Sequence, residues 1–441
     1  MKNKIFVSLS IIVVVILLGA GAFMFVNKDN GLEPTPITIT ENKPATNTDG
    51  SINEPTKTPE KPLPIESLPP QNIPTAHNLF GLDLIKAIEK DEPTKNIFIS
   101  PTSISLALSM LYNGTAEQTK TEIQKVLHLE KIDDITLNKE SLGLIKNISS
   151  PDSKIKLAIA NSVWTKKQPG LSFEANFINT LKNYFQAESY SLDFTNSDSV
   201  KTINNWASKN TNGKIPTIID SIPGDTVMYI INAVYFKGGW TKEFEKKLTT
   251  NREFTSFDKT KANISTMKKD GSLPYLETAD FQSVKLNYGE NGKISMYVFL
   301  PKDINSFVTS LAADKMNSWF NQYQNSSGTL FLPKFKIEYK KALIPTLKQL
   351  GMNQVFTASA NLKKISTNTP LMVSEVLHKT FVDVNEEGTE AAAVTSIGFM
   401  TTSIAPPTKT FLMDVNRPFF FVIRDNISGE LLFTGIIKSL K

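Results

Sequence analysis

Hydrophobic and polar positions along this chain change period several times, and each change marks an element. After Ser100, apolar side chains fall at Ile104, Leu106, Ala107, Met110 and Leu111 and stop at Gly114. That spacing is helical, and Ser100 followed by Pro101 supplies an N-cap with proline in the first turn, where a missing N–H costs nothing. Thr115 with Gln118 three residues on has the form of a capping box and predicts a further helix through Val126, so that 80–128 reads as helices. From Val227 to Phe236 (VMYIINAVYF) the pattern changes: odd and even positions are both apolar. Such a run predicts a strand covered on two faces, and the one amide inside it, Asn232, then needs hydrogen-bond partners. Ser100 and Ser103, beside an equally apolar helix face, need them too, and Asn232 is a candidate partner. The run ends at Lys237-Gly238-Gly239-Trp240. Ser295–Leu300 and Gly328–Pro333 read as strands, Ile344–Leu350 as a helix, and Phe419–Arg424 with Leu431–Ile437 as a hairpin around Ser428-Gly429. Strands and helices mix without βαβ alternation or an internal repeat, which predicts an α+β fold in a single large domain.

One stretch fits none of these elements. Asp383 to Thr410 (DVNEEGTEAAAVTSIGFMTTSIAPPTKT) begins as a strand and then looks like a long exposed loop. Yet taken with a period of two, Thr389, Ala391, Ala393, Thr395, Ile397, Phe399 and Thr401 are small or apolar throughout, as one face of a strand is when it expects a core. The loop carries the pattern of a strand that has not been paired.

Glu386, Glu387, Gly388, Thr389 and the alanines 391–393 resemble the hinge of the reactive loop of inhibitory serpins, the serine-protease inhibitors that insert their own cleaved loop into a sheet. The resemblance extends to Phe98-Ile99-Ser100-Pro101-Thr102-Ser103, to Asn232 through Trp240, to Leu332-Pro333-Lys334-Phe335, to Val376-Leu377-His378-Lys379 and to Asn416-Arg417-Pro418-Phe419-Phe420. Together these cover essentially everything after residue 76, in family order. The resemblance implies a large central sheet with further sheets, surrounding helices and an exposed reactive loop. It places Ser100, Ser103, Asn232 and His378 in a shutter, where the main sheet parts to admit the loop. Trp240, Lys334 and Glu386 fall in a breach, where insertion begins, and Glu386, Gly388, Thr389, Ala391, Ala392 and Ala393 form the hinge. Counting from Gly388 by the family's spacing puts the attacked bond between Thr402 and Ser403, within one residue. Small hydroxyl side chains there, with Phe399 and Met400 upstream, suit an elastase-like or subtilisin-like protease. No Lys or Arg lies between Ala391 and Thr408, which disfavours a trypsin-like one. Val394 is larger than the family's hinge usually carries, Gly398 is a flexible interruption, and Pro406-Pro407 stiffens a long return segment.

The remaining composition narrows the setting. Lys2 and Lys4 precede an apolar run from Ile5 to Val26, about the length that crosses a bilayer, and it reads either as a membrane anchor or as a signal peptide cleaved near Gly19-Ala20-Gly21-Ala22. Residues 27–75, with seven prolines from Pro34 to Pro64, read as a semi-extended tether, leaving 76–441 as the folded body. A bacterial protein, secreted or held on the outer face of the cytoplasmic membrane, is the expectation. Absence of cysteine excludes disulfides, thiol nucleophiles and a lipoprotein anchor. A net charge of +5 spread over 441 residues gives no reason to expect nucleic acid. His77, His128 and His378 are too scattered for a local metal motif, and no cofactor is implied. Ser153-Lys154-Ile155-Lys156, Ser256-Phe257-Asp258-Lys259 and Ser265-Thr266-Met267-Lys268 match S-x-x-K, but the S-D-N and K-T-G companions of that nucleophile motif are missing. The expectation is therefore a monomeric inhibitor with no catalytic residues of its own, whose partner is a serine protease held as a covalent acyl complex. A non-inhibitory serpin-like surface binding protein is the alternative.

Overall fold

The run that the pattern marks as a two-sided strand forms Met228–Gly239, and one sheet is built outward from it. The computed structural model describes residues 73–148, 152–389 and 410–441, which lie within one compact unit. On one side of Met228–Gly239 runs Ile155–Lys166, antiparallel, with Glu188–Leu192 parallel beyond it. On the other side runs Glu375–Asn385, parallel to Met228–Gly239 over Glu375–Phe381, with Phe335–Ala342 antiparallel at the edge. The sixth strand is only Gly388–Thr389.

A nine-stranded sheet packs behind. Its path runs Ile97–Ile99, Leu431–Ile437, Phe419–Asp425, Ile294–Pro301, Phe281–Asn287, Lys261–Glu277, Gln324–Pro333 and Phe411–Asp414, with Thr250–Thr255 paired to Lys261–Glu277. The expected C-terminal hairpin is present in it. Between the two sheets lies the helix Pro101–Asn113, which packs on Leu431–Ile437 of one and on Met228–Gly239 of the other. Every residue from Pro101 to Tyr112 is buried, which explains an apolar period broader than one face. Ser100 caps it by accepting from the Ser103 N–H, and Gly114 ends it where a Cβ would sit 2.3 Å from Ile365.

Three expectations are corrected. Residues 80–128 are not all helix: Ile97–Ile99 is a strand, and Phe98 stacks between Phe421 and Phe433 at 5.7 and 5.1 Å. Thr115 and Gln118 form no capping box. The Thr115 hydroxyl instead donates to the Tyr112 carbonyl, closing the previous helix, and Glu117–Val126 starts at Ala116 without a side-chain cap. The first helix is Ile73–Asp91, so the last residues assigned to the tether are already helical. Among the described residues no helix is long and apolar enough to cross a membrane. The run Ile5–Val26 and nearly all of the tether lie outside them.

Candidate functional site

The parallel contact between Met228–Gly239 and Glu375–Asn385 forms a seam through the middle of the smaller sheet. Its register sets His378 opposite Asn232, and the two side chains clasp across it: His378 Nδ1 lies 2.6 Å from Asn232 Oδ1. On the other edge of the ring, the Ser100 backbone N–H points at His378 Nε2 at 3.2 Å. A backbone amide only donates, so Nε2 accepts and the proton sits on Nδ1, donating to Asn232. That orients the Asn232 amide, whose nitrogen donates to Asn161 Oδ1 at 2.6 Å, to the Ser103 carbonyl at 3.2 Å and to the Ser103 hydroxyl. The Ser100 hydroxyl donates to the Leu432 carbonyl at 2.7 Å while accepting from the Ser103 N–H. Complete burial pulls the His378 pKa down to about 3, so the ring is neutral in this network. Ser100, Ser103, Asn232 and His378 thus meet in one place, with Asn161 and Leu432 added.

At its other end the seam forks. Past Phe381 and Tyr235 the two strands separate to admit Gly388 and Thr389, which pair antiparallel with Gly239 and Gly238 on one side and with Asn385 and Val384 on the other. The chain has room there only as glycine. Gly388 has φ +151°, and a Cβ on it would lie 2.1 Å from the Gly238 carbonyl oxygen. The turn before it is tied to the segment after Gly239: the Trp240 N–H donates to the Glu387 carbonyl, the Phe244 N–H to the Glu386 carbonyl and the Trp240 indole to the Asn385 carbonyl, each at 2.9 Å. Lys334 Nζ lies 2.8 Å from Glu386 Oε2, and the Thr249 hydroxyl donates to Oε1 at 2.9 Å. Burial alone would raise the Glu386 pKa, but the Lys334 and Thr249 bonds outweigh it and hold the carboxyl below its usual range. Lys246 pairs with Glu387, whose charge raises the lysine's pKa. Trp240, Lys334 and Glu386, far apart in sequence, are therefore neighbours here. Gly388 and Thr389 correct the expectation of a wholly unpaired strand, since two hinge residues are already in the sheet.

A family profile described as Serpin (serine protease inhibitor) matches residues 75–439. The chain is a serpin. It is 34% identical over 385 residues to the leukocyte elastase inhibitor of Equus caballus and 33% identical to that of Homo sapiens, covering in each case 84% of this chain and all of the relative. Among solved structures it is similar to the native state of tengpin, a thermophilic serpin, at TM-score 0.77 and 32% identity over 84% of this chain and 95% of that one. Human thyroxine-binding globulin complexed with thyroxine is similar at TM-score 0.77 and 26% identity, over 84% and 99%.

Of the residues singled out from the sequence, Ala391, Ala392 and Ala393 and the bond Thr402–Ser403 lie outside the described residues of this serpin. Asn161, Thr249, Lys246 and Tyr288 were not singled out. Asn161 had a signal, being the one amide inside the mostly apolar AIANSVW, opposite Asn232 in the ladder. The other three had none, because their partners are more than a hundred residues away.

The neutral, buried His378 has a consequence for acid stability. Its folded pKa lies below the unfolded value of about 6.5, so below that pH the unfolded chain binds a proton that the folded chain refuses. Stability falls as pH drops from about 6.5 toward 3, at up to about 1.4 kcal/mol per pH unit. Urea unfolding between pH 7 and 5 should show this decline in the wild type. In His378→Gln the decline should be smaller by about 2 kcal/mol over that interval, and equal slopes would show that the ring does not titrate as described.

Proposed function

We propose that this serpin inhibits its protease by being cut: the protease attacks the loop near Thr402–Ser403, forms an acyl-enzyme there, and is displaced as the freed segment enters the forked seam. The observation that carries this is the pairing of Gly388–Thr389, antiparallel to both neighbours at the open end of a parallel seam. Carrying that register down, each further loop residue takes the place opposite one residue of Met228–Gly239. That strand has 12 residues and two are engaged, leaving ten, so residues 390–399 fill it and Phe399 arrives opposite Met228. Thr395 then falls between Asn232 and His378, whose clasp has to open to let it in. Thr389 faces inward, so Ala391, Ala393, Thr395, Ile397 and Phe399 face inward too, while Glu390 goes to the outer face beside Lys237 and Asp383.

The driving force follows from exchanging one parallel ladder for two antiparallel ones, which pair slightly better per residue. Ten added residues at about 1 kcal/mol net per hydrogen bond, with Ile397 and Phe399 contributing roughly 1.5–3 kcal/mol each, match a domain's whole stability of about 5–15 kcal/mol. That is enough to distort an attached enzyme. Small residues near the attacked bond favour an elastase-like or subtilisin-like target, and two relatives are named as inhibitors of leukocyte elastase. The fold is shared with a thyroxine-binding globulin, so inhibition is inferred from the hinge chemistry and not from the fold. The chain has no catalytic role of its own in this scheme, and it acts as a monomer. It is exported from a bacterial cell by the Ile5–Val26 segment, which stays as an anchor or is removed.

Parity gives the first test. Thr389→Arg, at an inward position, should turn the inhibitor into a substrate and raise the stoichiometry of inhibition of pancreatic elastase at least about tenfold. Glu390→Arg, at an outward one, should leave it within about twofold; the two are read from SDS-stable complex yields, and equal effects would sink the insertion register. The second test is cleavage itself. Mass spectrometry of the peptide released by elastase or subtilisin should place the bond within one residue of Thr402–Ser403. The cut protein should melt higher by more than about 10 °C, and an unchanged melting point would mean that no insertion had followed.

A further inference from the structure

Thr389 is fully buried, and its hydroxyl lies 2.6 Å from that of Tyr288, which is buried as completely. Tyr288 follows the strand Phe281–Asn287 and bridges to Trp240. Its ring is held on both sides: the Trp240 indole stacks on it at 4.3 Å and 13°, and Phe236 meets it edge-on at 5.1 Å. A Cβ on Gly238 would be 2.9 Å from the same ring, so the ring has no room to swing. The phenol therefore presents its hydroxyl at a fixed point, and among the described residues that hydroxyl has one hydrogen-bond partner, Thr389. The two ring contacts are aromatic, and phenylalanine at 288 keeps both.

We propose that Tyr288 is a positioning residue for the loop: its hydroxyl holds the Thr389 hydroxyl and so keeps Gly388–Thr389 seated in the fork. This rests on the insertion mechanism and deepens it. A strand already begun at Gly388–Thr389 only has to be extended after cleavage. Tyr288→Phe leaves the Thr389 hydroxyl buried without a partner, and Thr389→Val does the same to the Tyr288 hydroxyl. Removing both leaves two apolar groups of matching shape, which is nearly neutral.

The experiment is the double-mutant cycle Tyr288→Phe, Thr389→Val and the pair together, read in two ways. Amide hydrogen exchange over residues 386–389 of the uncut protein, without protease, should quicken about tenfold in each single variant and return to within about twofold of wild type in the pair. The stoichiometry of inhibition of pancreatic elastase should rise in each single variant and recover in the pair. Exchange unchanged in the single variants, a pair no better than the worse single, or faster exchange spread evenly over 228–239 and 281–301 would each overturn the proposal. The exchange arm needs no protease, so a protein that forms no complex would defeat the insertion mechanism while leaving the Tyr288–Thr389 bond to be judged separately.

Discussion

The parallel seam between Glu375–Phe381 and Tyr229–Tyr235 is the constraint on which the rest of this serpin depends. Parallel neighbours leave each strand with a ladder that an antiparallel guest could replace on both sides, and the guest is the next segment of the same chain. Glu375–Asn385 leads through a turn at Glu386–Glu387 straight into Gly388–Thr389, which runs back between the two hosts. The sheet is closed below and open above, and the loop is attached at the open end. Without that attachment, the apolar alternation from Thr389 onward would be only an aggregation-prone strand.

Two groups of side chains hold the seam in this state, and they differ in kind. The lower one is polar, buried and hydrogen-bonded: His378, Asn232, Asn161, Ser103 and Ser100 bond to one another across the seam and to the helix. Each of those bonds has a partner on a different element, so strand separation breaks the clasp across the seam while leaving helix Pro101–Asn113 capped. The upper one is partly exposed and ionic. Lys334 with Glu386 and Lys246 with Glu387 fix the turn that enters the fork, while Gly388 lets its backbone approach those of Gly238 and Gly239. An exposed ion pair contributes little to stability but fixes direction well, which is what an entry point requires.

Much of the fold was legible because the chain is locally consistent. The two-sided strand around Asn232, the capped helix after Ser100 and the C-terminal hairpin follow from period and punctuation. What was not legible has a common cause. Ile97–Ile99 is too short for its period to show, and Thr115 could cap forward or close backward with the same side chain. The hold on Thr389 depends on Tyr288, whose role exists only once Trp240 and Phe236 have fixed its ring. The neighbourhood of Lys334 and Glu386 came from family resemblance, since spacing says nothing about two connecting residues so far apart in the chain. Asn161 could have been found by the reasoning that found Asn232, as the lone amide in the mostly apolar run Leu157–Trp164.

The pKa of His378 also says what opens the seam. A ring whose pKa were the same in the closed and the opened seam would give opening no dependence on pH, whereas a pKa lowered by burial couples the two. Burial holds this imidazole neutral down to about pH 3, so its tautomer and its bonds to Asn232 and Ser100 are the same at pH 5 as at pH 8. Opening the seam lets water reach the ring and restores its ordinary pKa, so acid favours the opened clasp by the same linkage that lowers stability, while at neutral pH the clasp yields to something that competes for the space between Asn232 and His378. By the register set at Gly388, that competitor is Thr395, and its reach is limited by the loop's second attachment at Phe411–Asp414. Severing the loop removes that limit, which makes cleavage the event that the polar network is built to wait for.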